Sequence, residues 1–432
     1  MKTPKHQGTI APLRVAAIFI FAAGSVFGQT NVPKYKEYEE PPTLQAADIL
    51  KPEYAAGPNH RVLDEVTTSD GRNTYTMKTK WGNFIAESDA ILLARIAEAN
   101  AMAAIERQMR TEEYQGALKT ASSNPRYAER LRAMERASAW RDADAGVLEP
   151  IAEGNESTKG RDQAVAQEKS PLLSAPGSQL ARMIRLFAIH FGTDPYSTNK
   201  RYEQLLENFS WIAVNSQETF ALSPGPVGNE TGLALKAKSL TQNFQETLRD
   251  VMPKDLTEIN RRALLRMKVS AQDAEAFLQS SVFSPTKQTA VVRALDALSA
   301  PKKEEGVKNR EALVKLATKY AVIEDDAEFY AGTAQLLATI HTGRSRLAKL
   351  ATLEGLPVAV ATDGHLVIAL PWDTAYWSYF AERFIERAST AKLGQSGPIE
   401  MIITGNATPR FKAELEKRKI TLVTKVFGGP QK

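Results

Sequence analysis

Cysteine is absent from all 432 residues, and histidine occurs only five times. Without thiols there is no disulfide framework, no thiolate zinc ligand and no cysteine nucleophile, so buried apolar surface must hold the chain together. Attachment to a lipid through a cysteine is excluded as well. Four of the histidines, His60, His190, His341 and His365, lie beyond residue 28, and no two are four residues apart. A helical zinc pair needs that spacing to put both imidazoles on one face, so neither a metal nor a cofactor is expected. Long hydrophobic runs are also missing. Beyond residue 28 no stretch approaches the ~20 apolar residues of a membrane span. A strong charge of one sign is lacking too. Lys2, Lys5 and Arg14 fall in the first 28 residues, which contain no acid, so the formal charge of +5 drops to +2 for the remainder. No electrostatic footprint for nucleic acid is left.

The first 28 residues have their own logic. A basic start is followed by an apolar run over 15–23 and a small-residue exit at Val26-Phe27-Gly28. That order is the mark of a secretory signal cleaved near Gly28, which predicts a periplasmic or secreted protein; retention as an anchor would ask for a longer apolar run.

Residues 29–60 are rich in Pro, Tyr and Glu without periodicity and predict an extended arm. The next segment, 61–141, starts with alternation: RVLDEV, a turn at Ser69-Asp70-Gly71, NTYTMKTK, a turn at Trp81-Gly82, and NFIAES. This is a three-strand meander, too small to bury its own face, and the helix after Ser88 carries Ile91, Leu92, Ile96, Met102 and Ile105 to cover it. A charged helix over 125–140 follows. Residues 142–178 read as a linker or mobile loop. The segment 179–350 predicts a helical domain founded on an αα-hairpin, in which Leu180, Met183, Ile184, Leu186, Phe187 and Phe191 face Tyr202, Leu205, Leu206, Phe209 and Ile212. Ser197, Thr198 or Asn199 caps its second helix. Further on, Asp255 with Glu258 reads as a capping box, Ser284-Pro285 as a helix start, and 325–350 as one long helix. Residues 355–427 predict a ββαβαβ unit with a hairpin turn at Asp363-Gly364. The fold class is α+β: an N-terminal three-strand β-meander with a covering helix, a large α-helical middle and a small C-terminal mixed α/β unit.

Candidate chemistry is sparse. There is no Gly-x-Ser-x-Gly elbow, but Ser-x-x-Lys occurs at Ser197 with Lys200, Ser284 with Lys287 and Ser389 with Lys392. In exported serine hydrolases such a lysine activates the serine; the first two pairs are kept as candidates, although both serines also suit helix caps and the companion motifs are missing. The turn at Gly405, Asn406 and Thr408, between a strand and a helix, could offer free N–H groups to a small anion, or could be a capped turn with Pro409 first in the helix. Aromatics gather at 372–380: Trp377 and Phe380 fit a buried stripe, which leaves Trp372, Tyr376 and Tyr379 for a partner surface.

Several stretches, GPNHRVLDEV, NTYTMKTKWGNFIAES, DPYSTN, SPTKQT and LPVAVATDGHLVIALP with ITGNATPRFKAEL, together resemble a family of exported proteins of Gram-negative bacteria with no assigned activity. The resemblance implies export and a single-chain architecture, and it brings no catalytic residue. The expectation is an envelope protein with a binding or structural role, its partner another envelope protein met through the arm and loops. The alternatives are a Ser/Lys envelope hydrolase and a binder of small anions at the 405–408 turn.

Overall fold

The computed structural model describes residues 38–138, 175–216, 243–299, 306–427 and 429–432. The expected signal at 1–28, the first part of the arm and almost all of the expected linker lie outside the described residues.

The arm folds from Thr43 onward. β1 (Thr43–Gln45), α1 (Ala46–Ile49), α2 (Pro52–Ala55) and β2 (Ala56–Gly57) lead into β3 (His60–Val62), β4 (Glu65–Ser69), β5 (Arg72–Thr79) and β6 (Gly82–Ala86). The antiparallel sheet runs β1-β4-β5-β3-β2, with β6 along the other edge of β5. The expected strand RVLDEV is broken at Leu63-Asp64 into β3 and β4, both on the same edge of β5. Residues 43–45 and 56–57 therefore join the sheet, with two short helices between them, in place of the expected extended arm, because β1 and β2 pair with the outer edges of β4 and β3. The β4–β5 turn has positive φ at both Asp70 and Gly71, the geometry that suits strand twist. Asn73, Tyr75 and Met77 point inward from β5 and are covered by α3 (Asp89–Gln108), which Ser88 caps through the Ile91 N–H.

α4 (Glu112–Ser122) and α5 (Ala128–Ser138) follow, then the expected αα-hairpin, α6 (Gln179–His190) and α7 (Lys200–Asn215). Asn199 caps α7 by accepting from the Tyr202 N–H, and Phe187, Phe191, Phe209 and Tyr114 form one aromatic cluster. α8 (Phe244–Asp250), α9 (Pro253–Arg266), α10 (Ala271–Leu278), α11 (Pro285–Ala297), α12 (Glu311–Tyr320) and α13 (Glu324–Gly343) follow. The Asp255–Glu258 capping box does not form, since Pro253 already opens α9.

The 179–350 segment has no core of its own. α6, α7 and α8 share one apolar core with the N-terminal sheet and α3, whereas α10 to α13 share a second core with the C-terminal sheet. Between them lies α9, with Leu256 in the first core and Leu264 in the second.

The expected helix over 325–350 ends at Gly343. Residues 347–353 are instead a strand, β7 (Leu347–Leu353), paired antiparallel to β8 (Leu356–Ala361) through a turn with positive φ at Glu354 and Gly355. β9 (Leu366–Leu370), β10 (Thr374–Ala375), α14 (Tyr379–Thr390), β11 (Ile399–Ile403), β12 (Asn406–Ala407), α15 (Pro409–Lys417) and β13 (Thr421–Val423) complete the chain. The sheet order is β13-β11-β9-β8-β7, with β9, β11 and β13 parallel. The unit is βββαβαβ rather than ββαβαβ. Every residue of β8 and β9 is buried, as expected for strands covered on both faces.

Candidate functional site

The two cores meet where β9 and β11 end. In open sheets of this kind the crevice outside the carboxyl ends of parallel strands is the usual place for a ligand. Here the β4–β5 turn enters that crevice. Gly71 lies under the Trp372 indole, where a Cβ would come within 2.6 Å of the ring, and its carbonyl accepts from the Asp373 and Thr374 N–H groups at 2.8 and 3.1 Å. Asp373 answers across the same boundary: its Oδ2 accepts from the Asn73 and Asp89 N–H groups at 3.0 and 3.2 Å. The Tyr75 hydroxyl donates to Asp89 Oδ1 at 2.6 Å. Residues 429–432 lie over this arrangement, with Gln431 Nε2 donating to the Asp373 carbonyl at 2.9 Å and the Lys51 N–H donating to Pro430 O at 2.8 Å.

Beside Asp373 is a cavity of about 20 Å³ walled by Arg72 from the N-terminal unit, Asp325 and Gln335 from α13, and Pro371, Asp373 and Thr404 from the strand ends. Its polar atoms are unusual. Arg72 Nη1, Asp325 Oδ2 and both Gln335 Nε2 and Oε1 are buried and find no hydrogen-bond partner, although Gln335 is only 3% exposed. Buried polar groups are paired in the great majority of cases, and one left unpaired costs ~1–3 kcal/mol.

Burial raises the proton affinity of the carboxyls at this seam. Burial, with the neighbouring Glu87 carboxyl, raises Asp325 to about 8, and burial raises Asp89 to about 6. Asp373 is pushed well above the carboxylate range by burial and by the charge of Asp89. A second polar network lies nearby with the opposite character. Glu98 accepts from Ser197 Oγ at 2.6 Å, from Asn199 Nδ2 at 2.7 Å and from Arg95. Lys287 Nζ contacts Glu324 at 3.0 Å and Glu328 at 3.6 Å. Although burial opposes it, the charges of Lys287 and Arg95 hold Glu324 at about 2. Thr286 Oγ1 donates to Asp194 Oδ1 at 2.6 Å, while burial lifts Asp194 to about 6.

The residues singled out from sequence fall as follows. Ser197 donates to Glu98, while Lys200 bonds Glu203. Ser284 caps α11 through the Lys287 N–H, and Lys287 faces its two glutamates; neither lysine ammonium is bonded to its serine. At the C-terminal turn, Gly405 N–H donates to Trp372 O, Asn406 N–H to Asp373 O and Thr408 N–H to Ala375 O, so these donors hold β12 against β10. Thr408 Oγ1 accepts from the Phe411 N–H and donates to Glu39. Trp372 packs edge-on against Phe411 and is 8% exposed, so the expected partner surface loses it to the core. Phe380, expected in the core, is 42% exposed beside Tyr379, and Tyr376 is half-buried. Among the described residues no group of three or more His, Asp or Glu is arranged to hold a metal, and no helix is long and apolar enough to cross a membrane.

Sequence reasoning missed Arg72, Glu87, Asp89, Asp325, Gln335 and Asp373. Gln335 alone left a trace: in the stretch Ala331 to Ile340, which is otherwise Ala, Gly, Thr, Leu and Ile, it is the one large polar side chain. Comparison of the chain with family models, with curated proteins and with solved structures finds no match.

Proposed function

We propose that this chain is an exported binding protein of the cell envelope, and that its ligand is a small polar molecule taken into the seam at the carboxyl ends of β9 and β11. The observation that carries the reading is Gln335. Its amide presents a donor and an acceptor to the cavity with no protein group to meet either, and Asp325 Oδ2 and Arg72 Nη1 stand in the same walls. A site that served packing alone would do better with apolar side chains of the same volume. A guanidinium, an amide and a carboxyl around one point, backed by Pro371, are instead the few oriented polar groups by which small-molecule sites fix a ligand. A volume of about 20 Å³ takes a water molecule, so anything larger enters as the two units part. The composition of residues 1–28 supports export.

The test is a thermal-shift screen of the chain lacking residues 1–28 against small amides, amino acids and carboxylic acids, repeated with Gln335→Leu. A compound that raises Tm by several degrees in the wild type and not in the variant is the expected result. No rise across the set, or equal rises in both proteins, would contradict the reading.

A further inference from the structure

The segment 429–432 ties the two units together from outside the seam. Along one edge it lies antiparallel to residues 49–51 of the N-terminal unit, with Gln431 opposite Leu50. The Lys51 N–H donates to the Pro430 carbonyl at 2.8 Å, the Lys432 N–H to the Ile49 carbonyl at 2.7 Å, and Lys51 Nζ to the Gly429 carbonyl at 3.0 Å. Along the other edge the Gln431 side chain reaches the C-terminal unit. Its Nε2 donates to the Asp373 carbonyl at 2.9 Å and its Oε1 accepts from Asn406 Nδ2 at 2.7 Å, so both ends of this buried carboxamide are met. Asp373 is the residue on which the seam itself hangs: its N–H donates to the Gly71 carbonyl, and its Oδ2 accepts from the Asn73 and Asp89 N–H groups. Phe427, two residues before the segment, lines the cavity that Gln335 also lines.

We propose that residues 429–432 are a releasable strap: the crevice stays closed while the strap bridges residues 49–51 and Asp373, and opens to its ligand when the strap lets go. Its hold on 49–51 is one isolated bridge with no ladder on either side. Such a short pairing opens at far lower cost than a strand inside a sheet. Its hold on the C-terminal unit is a single side chain, and that side chain acts on the residue that anchors the β4–β5 turn. With the strap in place, the Asp373 carbonyl accepts from Gln431 and from the Asn406 N–H; release removes the first of these and frees Asp373 to shift with its bonds to Gly71, Asn73 and Asp89. A carboxamide suits this position because it offers a donor to the Asp373 carbonyl and an acceptor to Asn406. A carboxylate would set oxygen against the carbonyl, and an alkyl chain would leave both partners unmet. The strap rests on the crevice reading above, as the gate to that site.

Hydrogen exchange on the chain lacking residues 1–28 tests it. The Asp373 and Thr374 amides, which cross the seam to Gly71, are compared with the Leu63 amide, bonded to the Thr76 carbonyl, and the Leu350 amide, bonded to the Lys308 carbonyl. Gln431→Ala is expected to speed exchange at Asp373 and Thr374 at least tenfold relative to those two amides. The strap can also be locked. Directly opposite residues of a hydrogen-bonded antiparallel pair lie about 5.5 Å apart at Cα, within reach of a disulfide. In a chain without cysteine, Ile49→Cys with Lys432→Cys can form only that one bond. Oxidising the pair is expected to slow exchange at Asp373 and Thr374 at least tenfold relative to the same protein reduced. Seam amides that exchange equally in the oxidised and reduced pair overturn the strap, as does an unchanged ratio to Leu63 and Leu350 in Gln431→Ala. Should Gln431→Ala loosen the whole fold, Leu63 and Leu350 speed up with the seam, and the oxidised-against-reduced comparison decides alone. The Gln335→Leu screen reads ligand binding instead, so a failed strap and a failed crevice reading give different results.

Discussion

A Cβ at Gly405 would lie 2.0 Å from the Asp373 carbonyl oxygen, which is backbone and cannot turn aside. Gly405→Ala should therefore cost on the order of 3 kcal/mol or more and be read as a large fall in the urea midpoint. Gly71→Ala meets both a positive φ and the Trp372 ring, with a cost of similar order. A variant at either site that unfolds like the wild type would mean the two units are not closed as described. At this scale the sequence was partly readable. Asp70-Gly71 and Asp363-Gly364 announce their turns, because only a few residue types tolerate positive φ. Nothing local announces that Asp373 accepts from the N–H groups of Asn73 and Asp89, which are about 300 positions away in the chain. For the same reason Trp372 and Phe380 exchanged places: both are large and apolar, and the docking of Gly71 decides which is covered.

At the scale of elements, Ser284 and Lys287 separate two accounts of one motif. If Ser284 is a cap, Ser284→Ala costs ~1 kcal/mol. Lys287→Met, which strands Glu324 and Glu328 beside α11, costs ~3–5 kcal/mol. Urea titration of both variants gives that order; the reverse order would return Ser284 to a special role. Helix starts were legible here because caps are local chemistry. The stretch 347–353 was not, since Leu347, Leu350 and Leu353 have the spacing of a helix face. A bulge between Leu347 and Lys349 brings Leu347 and Leu350 to one side of the strand and leaves Leu353 on the other, and pairing with β8 decides the matter. β1 and β2 were hidden likewise, being short edge strands defined by their neighbours rather than by their own alternation.

In the whole molecule two cores meet at a seam of acids whose proton affinities burial raises, and stability should depend on pH accordingly. Asp89 and Asp325 have raised values, so their contribution is complete below the ordinary carboxylate range near ~4 and is lost as pH climbs through about 6 and then about 8. Glu324, held at about 2, acts in the other direction: its contribution is present above ~4.5 and is lost as pH falls through about 2. Maximum stability is thus expected in mildly acidic solution. The urea midpoint should fall from pH 5 to pH 9 in the wild type and fall less steeply up to pH 8 in Asp325→Asn, which lacks one of the raised carboxyls; a midpoint that rises over that range would contradict the assignment. The α+β class was legible at this scale from the order of periodic segments, but the division of the helices between two cores was not. Periodicity says that a helix has an apolar face and leaves its neighbour open.

Ligand binding in the seam is read most directly at the side-chain amide of Gln335. Its ¹⁵N–¹H signals, identified by their loss in Gln335→Leu, can be followed while a stabilising compound from the screen is added. With the ligand in the seam they should move in proportion to occupancy while those of Gln288, whose amide donates to the Leu278 carbonyl at 3.0 Å, stay in place. A compound that stabilises the protein yet leaves the Gln335 signals unmoved would show that the ligand binds elsewhere.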